Sequence, residues 1–137
     1  MSDKERIKYF YEVVVSSSRI WEVENFISEQ CVLKVGETII PCGVSGMKRH
    51  LIEDVKKTYP DYSMTIVKQY QDEEYIISEF VLEGTFEGEW IGMRPNNKKL
   101  SFTGIDIDRI IHGKIVEHSR AVNTFETLFV ENIIKPT

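Results

Sequence analysis

The chain changes its periodicity once, at Tyr59-Pro60-Asp61, and that break constrains the fold more than any other feature. Before it, apolar residues recur at steps of three and four. Ile7, Phe10, Tyr11, Val14 and Val15 form one stripe and predict a helix over 3–15. Ser16-Ser17-Ser18 interrupts it, and Ile20, Trp21, Val23, Phe26 and Ile27 predict a short second helix. Residues 31–35 and 37–40 read as short strands about Gly36, ahead of a turn at Pro41-Cys42-Gly43. Ser45 is placed to cap a third helix over 46–58, whose narrow stripe is Met47, Leu51 and Val55. A residue before proline avoids the helical region, so this helix stops at Tyr59.

After Pro60 the period is two. Residues 62–70 alternate, 71–74 form a turn, and 75–87 make a long strand rich in Ile, Val and Phe. A loop over 88–97 carries Trp90, Met93 and Pro95. Residues 100–111 and 114–125 form a hairpin about His112-Gly113, where glycine supplies the positive φ of a tight turn. Three helices followed by a four-stranded antiparallel meander predict an α+β fold, with the N-terminal helices packed on one face of a curved, mostly antiparallel sheet. No repeat, linker or low-complexity tract appears, so a single domain over 1–137 is expected.

Composition narrows the function. A hydrophobic content of 42% and a charged content of 28% are those of an ordinary globular protein. The net charge of -5 argues against a general grip on nucleic acid, which needs clustered Lys and Arg. The N-terminal residues are charged and amphipathic without the apolar segment of a signal peptide, and no run reaches the ~20 apolar residues of a membrane helix. A cytoplasmic protein is expected. Cys31 and Cys42 are the only cysteines and lie in no zinc-binding pattern, so they read as idle thiols, with a disulfide between them still open.

Five segments, in order, resemble a known family. They are Tyr59-Pro60-Asp61; Gly84-Thr85-Phe86-Glu87-Gly88-Glu89-Trp90-Ile91-Gly92; Pro95 with Lys98-Lys99; Phe102 to Ile107 as Phe-x-Gly-Ile-x-Ile; and Gly-Lys-Ile-Val-Glu-His at Gly113 to His118. Their order and spacing resemble the SnoaL-like polyketide cyclase (ester cyclase) family of the nuclear-transport-factor-2-like superfamily. That family shows Phe-Pro-Asp and Gly-Thr-His-x-Gly-x-Phe-x-Gly at the first two places. The resemblance implies a cone-shaped α+β barrel enclosing an apolar pocket for a small molecule, and homodimers formed on the sheet. It implies ring closure by an intramolecular aldol step without metal or cofactor, with an acidic residue near the end of the last strand doing the acid/base work.

This chain departs from that pattern at three polar positions. The acid after Glu-His-Trp is matched by Asn123, and an amide takes no proton at neutral pH. The His of Gly-Thr-His is Phe86. A Val-Asp-His-like segment is matched by Leu33-Lys34-Val35, without acid or imidazole. Asp106 and Asp108 are the candidate replacements, since residues two apart on a strand share a face and a buried pair raises one pKa.

Register decides which face that is. A two-residue turn at His112-Gly113 sets Asp106 opposite Ser119, on the face of Asn123. A three-residue loop with Gly113 in a bulge sets it opposite His118 and away from Asn123. The expectation is that both aspartates face solvent or a dimer partner. His118 is a candidate base oriented by Asp106, or a structural histidine. Arg109 is a candidate anion anchor, or a surface ion pair with Glu79 or Glu117. Glu79 is a candidate base with an outward face as the default. Trp21, Phe86 and Trp90 are expected in the core or the pocket wall. Two functions remain open: a cofactor-free enzyme on a small apolar carbonyl compound, or a ligand-binding, dimerising domain without turnover.

Overall fold

A computed structural model describes residues 1–135. Helix α1 (Asp3–Tyr9) opens with a capping box: the Glu5 amide donates to the Ser2 hydroxyl, and the Ser2 amide donates to the Glu5 carboxylate. The helix continues through Phe10–Val15 in wider π-type turns, with the Ser16 amide reaching back five residues to the Tyr11 carbonyl. The predicted apolar stripe is buried throughout.

The second predicted helix is shorter than expected. It is a 3-10 segment (Ile20–Asn25), and its last apolar residue, Ile27, instead starts strand β1 (Ile27–Val35). β1 turns at Gly36 into β2 (Thr38–Pro41). The third helix begins earlier than predicted. It is built from α2 (Gly43–Lys48), a π-type segment (Arg49–Glu53) and α3 (Asp54–Thr58), and Cys42 rather than Ser45 precedes its first turn. Cys31 and Cys42 are free thiols joined through the backbone, the Cys42 amide donating to the Cys31 carbonyl.

Strands β3 (Ser63–Asp72), β4 (Tyr75–Thr85), β5 (Lys99–Ile111) and β6 (Lys114–Val122) form the predicted antiparallel meander. The full sheet runs β2-β1-β6-β5-β4-β3, and β1 lies parallel to β6. The sheet is mixed and stays open, with β2 and β3 as its edges. The alternation of β4 is strict, with Ile76, Ser78, Phe80, Leu82 and Gly84 facing the helices. One core lies between that face and the helices, filled by Phe10, Tyr11, Met47, Leu51, Phe80, Phe102 and their neighbours.

The chain does not continue as strand to 125. β6 ends at Val122, and a helix α4 (Thr124–Val130) follows with Leu128 buried.

Neither anticipated hairpin register occurs. The turn has two residues, with Ile110 opposite Ile115 and Ile111 opposite Lys114. Val116 is then an extra residue in β6, so Arg109 pairs with Glu117, Asp108 with His118 and Asp106 with Arg120. A regular ladder would have set Asp108 against Glu117, two like charges; the bulge replaces that clash with a carboxylate facing an imidazole.

Candidate active site

The bulge brings four polar side chains to the inner face of the sheet. Asp106 and Asp108 are fully buried, contrary to the expectation of a wet face, and His118 is 1% exposed. A buried carboxylate is costly unless it is hydrogen-bonded or paired, and both are. Arg120 grips Asp106 with two parallel bonds, Nε to Oδ1 at 2.6 Å and Nη2 to Oδ2 at 2.8 Å. Its guanidinium also lies over the rings of Phe80 and Tyr11, at 4.8 and 5.7 Å from their centroids. Burial works against the Arg120 charge, but the Asp106 carboxylate outweighs it, so Arg120 stays a cation.

Asp108 holds the other half. His118 Nδ1 lies 2.6 Å from Asp108 Oδ1, and the Tyr11 hydroxyl donates to Asp108 Oδ2 at 2.9 Å. Tyr11 Oη is also 3.1 Å from His118 Nδ1. Burial raises the Asp108 carboxyl above its ordinary range, opposed by the His118 contact. Burial and the charges of Asp108 and Asp106 raise the Tyr11 phenol well above its usual value, so it remains a donor. With Asp108 as acceptor, His118 carries its proton on Nδ1, and Nε2 presents a lone pair. That Nε2 is buried and has no hydrogen-bond partner among the described residues. His118 is thus oriented by Asp108, not by Asp106 as its spacing suggested.

Next to this network is a cavity of about 420 Å³, bordered by the third helix, the sheet, the loop at Trp90 and the start of α4. Tyr59, Trp90, Phe102, Leu82 and Val122 make its wall largely apolar, and Arg120 and Tyr62 bring polar atoms to it. The Tyr62 hydroxyl is buried and unpartnered among the described residues. His50, Asp54 and Glu83 also border the cavity.

The remaining candidates are scattered. Trp90 lines the cavity, whereas Phe86 is buried behind it against Tyr59, ring centroids 5.9 Å apart. Trp21 is 67% exposed, so it is neither core nor pocket wall. Arg109 pairs with Glu74 and Glu117 and does not reach the cavity. Asn123 lies on the opposite face of the sheet, its amide donating to Thr103 Oγ1 at 3.1 Å. Strand alternation gives the reason: His118, Arg120 and Val122 face inward, so Asn123 faces out. Glu79 accepts from the Tyr70 hydroxyl at the exposed surface. Sequence reasoning passed over Arg120, Tyr11 and Tyr62, because only the bulge and the π-type turns reveal which way they point.

Asp106, Asp108 and His118 each offer a ligand atom, all within 4.8 Å of one another, a cluster able to close on a metal ion. Arg120 engages both oxygens of Asp106, and its charge opposes a cation there. The cluster fits an internal ion-pair network better than a metal centre.

The family model for SnoaL-like polyketide cyclases matches residues 5–128. The chain belongs to the SnoaL-like polyketide cyclase family. Among solved structures, IdmH of Streptomyces antibioticus, provisionally described as a polyketide cyclase, superposes with a TM-score of 0.79 at 18% identity, covering 93% of this chain and 96% of that one. A SnoaL-like polyketide cyclase of Agrobacterium tumefaciens gives 0.81 at 14% identity, over 96% and 98% of the two chains. AclR of Streptomyces galilaeus, provisionally described as a hydroxylase, gives 0.77 at 21% identity, over 99% and 86%. At these identities the likeness is one of fold. Comparison with curated proteins gives no match.

Proposed function

We propose that this member of the family catalyses cofactor-free proton transfer on a small, largely apolar carbonyl compound, of the kind that opens an aldol ring closure. The observation that carries the reading is the unpartnered Tyr62 hydroxyl, buried beside the fixed Arg120 guanidinium at one cavity. Two donors converging at one largely apolar cavity suit a carbonyl oxygen that becomes an oxyanion as the adjacent carbon loses a proton. The Asp108–His118 pair, behind the cavity wall, is where the proton ends: Asp108 fixes the tautomer, leaving Nε2 to take it up. In this reading Asn123 needs no catalytic role, because the acid/base work lies on the inner face, at His118 and Arg120, four and two residues before the end of β6.

The test is exchange of α-protons for deuterium in aryl methyl ketones, followed by proton NMR. The native protein should exchange bound ketone above the buffer rate, and Tyr62→Phe should slow this about 100-fold without loss of fold. A native protein that binds the ketones without accelerating exchange contradicts the reading. It would favour the alternative, a ligand-binding domain without turnover.

A homodimer belongs to the same proposal. The outer face of the sheet exposes Val67, Ile105 and Ile107, a row that a second copy would cover. Sedimentation should give twice the 16.0 kDa chain mass, and Ile107→Lys should return it to one; a native protein that stays at one chain mass rejects the dimer.

A further inference from the structure

The cavity at Tyr62 and the buried base do not share a wall. His118 borders a second cleft, formed where β1 parts from β6 after the Leu33–His118 pair, and it does not line the first. Three residues line both: His50, Arg120 and Val122. Val122 has no proton to move. Arg120 keeps its proton at any working pH and is locked on Asp106. His50 is the one group at this junction whose side chain can take up and release a proton near neutrality.

Its surroundings suit that task. His50 sits in the π-type segment Arg49–Glu53, next to the fully buried Leu51, at a place where the helix turns wider than an α-helix. The charged and titratable groups around it come from every side: Asp54 from its own helix, His118 and Arg120 from β6, Asp106 from β5, and Lys34 from β1 across the second cleft. Burial first, then the neighbouring His118 and Arg120, lower its imidazole below the usual histidine value, against Asp54 and Asp106. A neutral imidazole is the form that accepts a proton.

We propose that His50 is a second acid–base residue of this site, taking the proton from substrate in the first cavity and passing it, through one water in the second cleft, to Nε2 of His118. The substrate C–H pair stays behind as the enolate, held by Tyr62 and Arg120. The proton moves to His50 and on to His118, whose imidazolium is matched by Asp108. The reverse path protonates the product alkoxide, so protons balance and no electrons leave. The inference rests on the proton-transfer reading above and gives the unpartnered Nε2 its function.

The ketone-exchange assay tests it with His50→Gln, an uncharged side chain of similar reach. Exchange should fall about 100-fold, and added imidazole, small enough to enter the cavity, should restore part of it in proportion to its concentration. In ring-nitrogen NMR, the titration of His118 should lose one inflection in His50→Gln, because coupling between two titrating groups is reciprocal. Full exchange in His50→Gln, or a loss that imidazole does not rescue, or a His118 titration unchanged by the substitution overturns the proposal. The two readings fail separately. If Tyr62→Phe loses exchange while His50→Gln keeps it, only the relay is wrong; if the native protein has no exchange, both are.

Discussion

Arg120 and Asp106 are worth most as a pair. Asp106 is fully buried and Arg120 14% exposed, so neither charge can fall back on water if its partner is removed. Arg120→Leu should therefore destabilise the protein by about 3–5 kcal/mol in urea unfolding. Adding Asp106→Leu should recover most of that loss, since an apolar pair of similar volume removes the stranded carboxylate. Two losses that simply add would show that the ion pair is not coupled. The network behind it is tied to the same point, because Tyr11 donates to Asp108 while its ring lies beneath the Arg120 guanidinium. A perturbed Arg120 would thus reach the Asp108–His118 geometry without touching it.

Elements show where the sequence could be read and where it could not. Alternation along β4 and β5 and the stop at Pro60 are local signals, so the meander, its order and the α+β class were legible. The segments that carry the family resemblance have local reasons too. Asp61 accepts from both the amide and the hydroxyl of Thr85, at 2.6 and 2.7 Å, tying Tyr-Pro-Asp to Gly-Thr. Gly88 passes so close to the third helix that a Cβ there would collide with the Lys57 carbonyl, while its amide donates to Thr58. The site was less legible, because three irregularities decide it. The extra residue Val116 turns His118 and Arg120 toward the aspartates. The wider turns of Phe10–Val15 and Arg49–Glu53 hold Tyr11 and His50. Neither device leaves a periodic trace. Helix α4 did leave one, since Phe125, Leu128 and Phe129 recur at helical spacing, but a β-rich context hid it.

At the scale of the whole molecule, the sheet separates two tasks. Its inner face carries the charged network and the cavity, and its outer face carries Asn123, Arg109 and exposed isoleucines. The polar residues of the network are thus buried, and apolar residues of the outer face are exposed, the reverse of the simplest reading of a strand such as SFTGIDIDRII. The central claim is that Asp108 holds the Nδ1 proton of His118 and leaves Nε2 free. The most direct measurement is the pair of ring-nitrogen chemical shifts of His118 at neutral pH, in protein labelled with nitrogen-15. The account predicts a protonated Nδ1 and a bare Nε2. A proton found on Nε2 at neutral pH would contradict it, leaving His118 a structural donor with nowhere to take up the substrate's proton.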